Sequence, residues 1–498
     1  MNYRKLLGFF LALLIISFAA LAACAPAKQK EDANAPAKEN PPGENLDDSG
    51  GDGGDLEAEK KYEFPNQNYN GYKMRILTPD QWWAMSTLCA EEENGDTLND
   101  AIYKRNILIE DNLGVEIVEV LVSGPESRAK KSIQSNTDEY DVVFTDSAQA
   151  GNLASQGMYL NLYDILGLNL EAPYWNQKAH ESAELLGKLY FTTSDANIIT
   201  NDAIWVLYFN KKIHQDLGLE NPYQLVREGR WTLDELYSMA KASAKDLDGD
   251  GRWTAQDLWG ISTHGLGFLA FLECADEKLI KLNEQGEPYL ITPNERFLNA
   301  FLKAHRLMDK DNGLWIHGEG SFVGKTPDLD HQTKTFMADL SLFCSEVLGH
   351  ARVFREMTAD FGLLPHPKYD ENQSNYYTFM IDTVPAFGIP ITSGESERSG
   401  VFMDAFTAIS SEVIIPAYYK ISLEGKFTRD EDSIEMLDII RDGRIFDLAV
   451  LYNWGGFYSA IINYGTGKEG TNPTSVFEKN IGKVESAIQK TLDAYNSW

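Results

Sequence analysis

The stretch Tyr140-Asp-Val-Val-Phe-Thr-Asp146, followed at once by Ser147, decides the fold class of this chain. Its run of β-branched and aromatic residues predicts a buried strand, and a helix is predicted directly after it, over residues 148–155. The same order of strand and then helix is predicted upstream, with strands at 73–77 and 115–122. Strands that alternate with helices favour an α/β fold with a mainly parallel sheet and helices on its faces.

Beyond this region the regular alternation of predicted strands and helices ends. Strands are expected at 188–193 and 203–209, and a long helix at 232–245, which Thr232 and Glu235 would open as a capping box. The other predicted elements are helices at 97–113, 125–135 and 294–309, a helix that opens at 333–339, an extended segment at 378–389 and helices after residue 399.

Length and composition limit what the chain can be. Residues 62–498 are long enough for two domains of ordinary size, and a chain that is 43% hydrophobic can build substantial cores. The formal net charge of -31 argues against nucleic-acid binding, because phosphates would be repelled, and against electrostatic contact with anionic lipid. We expect no membrane-spanning helix after the amino-terminal region, since no later segment has the required uninterrupted apolar length.

The amino terminus has the layout of an export signal. Arg4 and Lys5 precede an apolar run over residues 6–20, which is shorter than a membrane span. The run alone would also fit an ordinary secretory signal or an uncleaved anchor. Leu21-Ala-Ala-Cys24 resembles the lipobox of bacterial lipoproteins, which implies a signal peptide over 1–23, cleavage before Cys24 and lipid on Cys24. Several acyl chains would hold the protein firmly at a membrane.

Residues 24–61 are predicted to form the lipidated cysteine and a disordered acidic linker. The stretch is rich in Ala, Pro, Gly, Asp and Glu, and Leu46 and Leu56 are its only large apolar residues. Such a stretch cannot bury enough apolar surface to offset the entropy lost on ordering it. We expect packed structure to begin at Tyr62.

Five stretches of the chain resemble extracellular solute-binding proteins of ABC importers, in the family 1 group that includes maltose-binding-like proteins. In chain order they are Tyr140–Asp146 with Gly157-Met-Tyr-Leu-Asn-Leu162, Trp205-Val-Leu-Tyr-Phe-Asn-Lys211, Gly229-Arg-Trp-Thr-Leu-Asp-Glu235, Asp246 to Gly260, and Val384 to Pro390. The resemblance extends over nearly all of residues 62–498. It implies an α/β, two-lobed periplasmic-binding-protein-like fold of type II, with strands that cross between the lobes at a hinge. Lobe 1 would contain about 62–200 and 385–418, and lobe 2 about 203–380 and 419–498.

An acidic loop that begins at Asp246 has the spacing of a calcium-binding loop. Carboxylates at its first, third, fifth and twelfth positions could surround a cation, and a glycine at the sixth position permits a sharp turn. The predicted metal ligands are Asp246, Asp248, Asp250, the carbonyl of Arg252, Thr254 and Asp257. Asp257 stands where a longer glutamate usually binds through both oxygens, which would weaken binding. A solvated acidic turn is the alternative; if calcium (Ca2+) binds, we expect it to brace the structure.

Aromatic side chains near predicted strand ends suggest a carbohydrate ligand, because a pyranose offers apolar C–H faces and a rim of hydroxyl groups. Polar side chains beside them could bind those hydroxyl groups, namely Asp80, Asp146, Ser147, Asp195, Asn201, Asp202 and Asp382. The predicted ligand-binding residues are Trp82, Trp83, Asp146, Ser147, Trp205, Asp382 and Trp454. Packing in a core is the alternative for each tryptophan.

No catalytic motif stands out in the sequence. Patterns such as H-E-x-x-H, G-x-S-x-G and the P-loop are absent, and the histidines lack metal-ligand spacing. Cys89, Cys274 and Cys344 are far apart and form no C-x-x-C pair, so zinc-ribbon and thioredoxin-like sites are excluded. We expect these cysteines to be buried and unpaired, with a single disulfide as the alternative.

The resemblance to solute-binding proteins sets the functional expectation. It implies a monomeric, non-enzymatic component of an ABC importer, anchored by lipid at the extracellular face of the cell membrane. Such a protein would capture a solute, with an oligosaccharide the first candidate, and deliver it to the permease subunits. An exported carbohydrate-active enzyme, and a binder of peptides or other small solutes with the same fold, are the alternatives.

Overall fold

The computed structural model describes residues 61–80, 88–316, 332–423, 431–470 and 472–497. The predicted signal peptide, Cys24 and the linker up to Lys60 lie outside these ranges, as do Trp82 and Trp83. The folded unit begins at Lys61, next to the predicted start of packed structure at Tyr62.

The strands of the described chain are short and spread over its whole length. They are β1 (Tyr72–Pro79), β2 (Val115–Val122), β3 (Val142–Asp146), β4 (Thr192–Thr193), β5 (Trp205–Asn210), β6 (Trp259–Thr263), β7 (Ile280–Leu282), β8 (Pro288–Leu290), β9 (Trp315–Ile316), β10 (Ser341–Val347), β11 (Phe361–Leu364), β12 (Thr378–Phe379), β13 (Pro385–Gly388) and β14 (Arg444–Ile445).

The helices fill the connections between the strands and most of the carboxy-terminal part. They are α1 (Thr97–Leu113), α2 (Pro125–Gln134), α3 (Ser147–Ala154), α4 (Gln177–Ala183), α5 (Ile199–Asp202), α6 (Lys211–Leu217), α7 (Pro222–Arg227), α8 (Leu233–Ser243), α9 (Leu266–Cys274), α10 (Glu295–Leu307), α11 (Gln332–Met337), α12 (Ala351–Phe354), α13 (Ser396–Ile409), α14 (Ile415–Leu423), α15 (Glu431–Asp442), α16 (Leu448–Tyr452), α17 (Phe457–Gly465) and α18 (Pro473–Ser497).

The first sheet has the order β2-β1-β3-β13-β4 among the described residues. β1 runs parallel to β2 and β3, with Ile76 opposite Val142. β13 runs antiparallel to both β3 and β4. β1, β3 and β4 therefore point the same way, and their carboxyl ends share one edge of the sheet. The predicted α/β fold is confirmed, with β13 as the antiparallel member of this sheet.

The second sheet has the order β11-β5-β10-β6-β9 within the described ranges. β6 runs parallel to β9 and β10, whereas β5 runs antiparallel to β10 and β11. The carboxyl ends of β6, β9 and β10 consequently lie at the same edge as the start of β5. Two separate sheets linked by crossing segments match the predicted two-lobed architecture.

Local capping explains where the long helices begin. Asp96 caps α1, because its carboxylate accepts the N–H groups of Leu98 and Asn99. The hydroxyl of Thr232 accepts the N–H of Glu235 at the start of α8, as the sequence pattern predicted.

The predicted strand over 188–193 is reduced to the two residues of β4. Lys188 pairs with Leu185 in an isolated bridge, across a turn in which Leu186 and Gly187 have φ values of 55° and 70°. The backbone of Lys188 is thus used by this turn, and the chain reaches the first sheet only at Thr192. Alternation of apolar residues alone could not reveal the turn.

The predicted extended segment over 378–389 is divided into two strands that belong to different ladders. β12 pairs with β14, and β13 pairs with β3 and β4 in the first sheet. Between them the chain turns, with the N–H of Val384 donating to the carbonyl of Ile381. This segment is therefore a crossing connection that leads into the first sheet.

The carboxy-terminal helices contact both halves of the molecule, and the predicted assignment of 419–498 to lobe 2 stays a prediction. α15 packs on β11 of the second sheet, but α16 packs on α3, which follows β3 of the first sheet. α17 then packs on α9 and α10 beside the second sheet. The chain needs these helices to cover apolar faces on both sides.

Within the described part of the chain, one helical segment, Ser396–Tyr419, is long and apolar enough to cross a membrane by length and composition alone. It includes α13, the π-helical turn Ser410–Ile414 and the start of α14. Its most apolar window is 72% buried inside the protein, and α1 packs against it. The segment is accordingly a core helix of the folded unit.

Candidate ligand-binding site

Polar side chains follow the strands that end at the shared edge of the first sheet. Asp146 ends β3 and Ser147 opens α3, while Ser194 and Asp195 follow β4. Ligands of α/β proteins bind beyond the carboxyl ends of sheet strands, where connections diverge. In the second sheet the corresponding edge holds the end of β6, the end of β10 and the start of β5.

Ser147 fixes the crossing segment between β12 and β13. Its backbone N–H donates to the carbonyl oxygens of Asp382 and Val384 over 3.1 and 3.0 Å, and its hydroxyl donates to the Asp382 carbonyl over 3.0 Å. Pro385 pairs with Asp146 in the adjoining ladder. The structure thus brings Asp146, Ser147 and Asp382 together, and the Ser147 hydroxyl is occupied in holding Asp382.

The Asp382 carboxylate lies where elements of both halves meet. Burial raises the pKa of this carboxyl group above its usual range, although the Tyr458 hydroxyl donates to it over 2.9 Å and His264 favours its charged form. Tyr458 belongs to α17, and His264 directly follows β6. A partly buried carboxylate in this position can accept a hydrogen bond from a hydroxyl group.

Trp205 begins β5 and is buried. Its indole N–H donates to the Ser345 hydroxyl over 2.7 Å, and that hydroxyl lies 2.9 Å from Nε2 of His366. Phe379 of the β12 ladder packs edge-on against the indole, with 6.3 Å between ring centroids. These contacts explain Trp205 as a packing residue beside the crossing strands, and its contact with ligand stays a prediction.

Trp454 is also explained by packing. It stacks on Tyr452 with ring centroids 4.5 Å apart and an angle of 3° between the planes. Its indole N–H donates to the Thr491 hydroxyl of α18 over 2.8 Å. A ligand is not needed to account for either contact, and a role in binding stays a prediction.

The segment between β4 and β5 carries a polar cluster around Asn201 and Asp202, two of the side chains that the sequence offered as partners for solute hydroxyl groups. Arg352 donates through both terminal nitrogens to Asp202, over 2.8 and 2.7 Å, and the Tyr418 hydroxyl donates to the same carboxylate over 2.8 Å. The neighbouring Tyr419 hydroxyl donates to Asn201 over 3.0 Å. The sequence signal was the polar stretch 194–202 between two strands, but its partners are far away in the chain.

A group that sequence reasoning missed lies at the carboxyl end of β10. Glu346 is 5% exposed and accepts a hydrogen bond from the Gln332 side chain over 2.7 Å. Nδ1 of His350 lies 3.8 Å from the same carboxylate. A buried acid at this edge of the second sheet has the position expected of a ligand contact.

The predicted calcium loop is arranged around its own backbone. Carboxylate oxygens of Asp246, Asp248 and Asp250 lie within 4.8 Å of one another. Asp246 accepts the N–H groups of Gly249 and Gly251, which have φ values of 73° and 77°. Three carboxylates that converge in this way offer hard oxygen ligands to a cation such as calcium.

The crowding of these carboxylates is reflected in their ionisation. The N–H of Gly251 is the main cause of a lowered pKa at Asp246. Asp248 accepts the N–H of Asp250, yet loss of solvation and the neighbouring carboxylates raise its pKa. Negative charges held this close together favour a bound cation.

Asp257 does not join the other three carboxylates, which differs from its predicted place as the twelfth ligand. The residue is 1% exposed, and its carboxylate accepts the N–H of Leu247 over 2.8 Å. It also accepts the N–H and the hydroxyl of Thr254, over 2.6 and 3.0 Å. The short side chain therefore ties the two ends of the loop together and occupies the Thr254 hydroxyl as well.

Comparison with known proteins supports this description of the fold. Residues 90–272 match the family model described as bacterial extracellular solute-binding protein. A search of curated proteins returned no match. Many solved structures are similar to this chain.

An ABC substrate-binding protein from Listeria monocytogenes in complex with cycloalternan is 12% identical, with a TM-score of 0.55, and the match covers 84% of this chain and 99% of that one. A cyclo/maltodextrin-binding protein complexed with maltotetraose is 14% identical, with a TM-score of 0.53 and coverage of 87% and 99%. A solute-binding protein of an ABC transporter from Thermotoga lettingae, bound to α-D-tagatose, is 13% identical, with a TM-score of 0.52 and coverage of 84% and 100%.

The chain has the fold of bacterial extracellular solute-binding proteins. The resemblance predicted from the sequence is therefore confirmed, as is the two-lobed architecture that it implied. These similar proteins are substrate-binding proteins and not enzymes, and the matched family is extracellular. Within this solute-binding fold, the edge that carries Asp146, Ser147 and Asp382 is the candidate site.

Proposed function

We propose that this chain is the substrate-binding component of an ABC importer and that it captures an oligosaccharide between its two lobes. The observation that carries the proposal is the meeting of polar groups from both halves around Asp382, in a fold shared with sugar-binding proteins of such importers. Closure of the lobes would exclude water from the bound solute and strengthen its hydrogen bonds.

The proposed contacts follow from the geometry of the site. Asp382 would accept a hydrogen bond from a solute hydroxyl, because its carboxylate lies between the crossing segment and α17. Glu346 would offer a second acceptor from the opposite sheet. Ser147 would act indirectly, by holding the backbone of Asp382 in place.

The proposal extends to the location of the protein. Cleavage before Cys24 and lipid on that cysteine would tether the folded unit to the outer face of the cell membrane, close to the permease subunits. The composition of residues 25–60 supports a flexible connection, since it offers few apolar groups for packing. A tethered monomer would then deliver its solute without diffusing away.

We also propose that the loop at Asp246 binds a structural calcium ion. Asp246, Asp248 and Asp250 would supply carboxylate oxygens, and the carbonyl of Arg252 would complete the set where its backbone turns. Calcium would neutralise the repulsion between these carboxylates. Asp257 would contribute by fixing the loop ends through Leu247 and Thr254.

A thermal-shift screen tests the solute-binding function. The full chain, without its signal peptide, would be melted with maltotetraose, mannotriose, cycloalternan, tagatose and a set of short peptides. We expect a saturable rise in Tm with at least one saccharide, because a ligand that binds only the folded state stabilises it. The same samples would be analysed for sugar products.

Two outcomes of the screen would contradict the proposal. Cleavage of a saccharide would identify an exported carbohydrate-active enzyme. Stabilisation by peptides alone would show that the same fold binds a different class of solute.

A further inference from the structure

The guanidinium group of Arg105 makes no contact in the proposed solute site, yet it binds two segments that border it. Arg105 lies on α1 and is 0% exposed. Its Nη1 donates to the carbonyl oxygen of Ala196 over 2.8 Å, and its Nη2 donates to the carbonyl oxygen of Leu88. Its Nε donates to the side chain of Asn106 over 2.9 Å.

These two carbonyl groups belong to connections that leave the same edge of the first sheet. Leu88 lies between β1 and α1, and Ala196 lies just after β4. In the sheet order, β3 and β13 separate β1 from β4. One side chain therefore ties together two connections that flank the strand ending at Asp146.

The core helix holds Arg105 from the other side. The guanidinium carbon lies 3.8 Å from the centroid of the Phe406 ring, and Nη1 also donates to the Ser410 hydroxyl over 3.1 Å. Ser410 opens the π-helical turn, a type of distortion that is frequent at functional sites. Nearby, the hydroxyls of Ser194 and Thr407 are 2.7 Å apart, so the connection after β4 is fixed twice.

Burial of this charge demands an explanation. Burial lowers the pKa of the Arg105 guanidinium, and none of its hydrogen bonds within the described chain is to a carboxylate. Apolar residues of similar volume often replace buried charges without loss of stability. What they cannot replace is a planar fork that binds carbonyl groups from separate segments at fixed distances.

We propose that Arg105 is a positioning residue for the solute site, holding the connections after β1 and β4 so that the carboxyl edge of the first sheet keeps one arrangement. The proposal rests on the proposed function for its role in binding. Asp195, one residue before Ala196, accepts a hydrogen bond from Asn201, which lies next to Asp202 of the polar cluster described above. Movement at Ala196 would reach this cluster.

Hydrogen exchange of the unliganded protein tests the positioning directly. The Arg105→Lys variant keeps the charge but loses the fork, so amide exchange at residues 88–89 and 196–202 should rise together by about tenfold, since hydrogen bonds to both connections weaken. Exchange within the second sheet should stay unchanged.

Arg398→Lys provides a matched control. Arg398 is 6% exposed and lies over the Tyr72 ring, 3.4 Å from its centroid, with an ion pair to Glu395. Tyr72 begins β1, so this buried arginine serves the opposite edge of the same sheet. Exchange at 88–89 and 196–202 should be as in the wild type.

Solute affinity then separates positioning from general stability. With the saccharide that gave the largest Tm rise in the screen, Arg105→Lys should raise Kd by about tenfold, and Arg398→Lys should leave it unchanged at a comparable loss of stability.

Unchanged exchange in Arg105→Lys, or an equal rise in both variants, would overturn the proposal. Faster exchange with wild-type affinity would also overturn it, because Arg105 would then be structural only. If no saccharide binds, the proposed function fails, while the exchange result still decides whether Arg105 positions the two connections.

Discussion

At the scale of single residues, the most unusual feature is a pair of buried acids outside the candidate site. Glu273 on α9 and Asp447 before α16 are 1% and 3% exposed. Neither carboxyl oxygen of Glu273 has a hydrogen-bond partner among the described residues, and the same is true of Oδ2 of Asp447. Burial raises the pKa of both groups, and the proximity of Asp447 raises that of Glu273 further. Two such acids cannot both be ionised without cost.

Replacing Asp447 by asparagine should stabilise the protein at neutral pH. Oδ1 of Asp447 accepts the N–H of Ala449 at the start of α16, and the asparagine carbonyl can keep that cap. The variant removes the buried negative charge that Asp447 carries above its pKa, so its unfolding free energy at pH 7 should rise by on the order of 1–3 kcal/mol. Chemical denaturation of the wild type and of Asp447→Asn provides the measurement.

The buried acid also predicts how the stability of the wild-type protein changes with pH. The folded state holds the Asp447 proton more tightly than the unfolded chain, so the unfolded chain loses it at lower pH. The wild type should therefore lose stability as pH rises from the usual carboxyl range through the raised pKa of Asp447, and the variant should lose less, because of the two acids only Glu273 then still titrates. Asp404→Asn is the matched control: this buried carboxylate accepts hydrogen bonds from Asn169, Tyr174 and Trp175, and its loss should destabilise. Equal destabilisation by both variants would contradict the explanation.

Asp382 supplies a prediction at the candidate site itself. If its carboxylate accepts a solute hydroxyl, Asp382→Asn should weaken solute binding by on the order of 10- to 100-fold, the value of a hydrogen bond to a charged group. Because burial raises its pKa, wild-type affinity should fall with decreasing pH sooner than an exposed aspartate would allow. Titration calorimetry across pH tests both statements. Asp138→Asn, at an exposed carboxylate paired with Arg75, should bind as the wild type does.

The site residues that could be predicted from the sequence are those whose position depends on the neighbouring strand ends. Asp146, Ser147 and Asp382 follow strand ends, and the structure brings them together because Ser147 reaches the crossing segment. The contacts of Arg105, Asp202 and Asp447 join segments that are far apart in the chain, so no local sequence pattern predicts them.

At the scale of elements, the acidic loop that begins at Asp246 is expected to make the stability of the protein depend on calcium. Adding calcium to the chelated protein should raise its Tm, and at free calcium about 100 times Kd the stabilisation would be about 2.7 kcal/mol. Asp248→Asn should abolish most of this effect, since Asp248 faces the other two carboxylates. Asp309→Asn, in an acidic turn where Asp309 accepts the N–H groups of Asp311 and Asn312, should respond to calcium as the wild type does. An unchanged Tm in the wild type would remove the site.

Elements with complete local signals were predictable. α1 has its Asp96 cap and ends at Gly114, whose φ is 62°, and β2 follows at once. β4 was not predictable in length, because the turn at Leu186 and Gly187 redirects the chain before the strand begins. Gly187 signals a turn but not how many residues beyond it the turn uses, so periodicity alone extends the strand too far.

At the scale of the whole molecule, the two sheets and their crossing segments could be predicted from the resemblance, whereas the place of the last helices could not. α16 packs on α3 and α17 packs on α9, so helices close together in sequence serve different halves. Their amphipathic patterns give each an apolar face but do not say which apolar surface it will cover. Only the long-range packing decides that.

The tether completes the proposed mechanism and can be tested on the whole protein. In Cys24→Ala, the proposed lipid attachment is lost, so the protein should appear in the culture medium or a soluble extracellular fraction and no longer sediment with membranes. The matched control is Cys89→Ala, at a cysteine of the folded unit that forms no disulfide in the described structure, and it should stay with the membrane. Fractionation followed by mass analysis of the mature amino terminus shows whether the signal was removed and whether lipid is attached.

Retention of Cys24→Ala on membranes with an intact signal sequence would identify an uncleaved anchor. Retention after removal of the signal would show that the folded unit itself binds the membrane or a membrane protein.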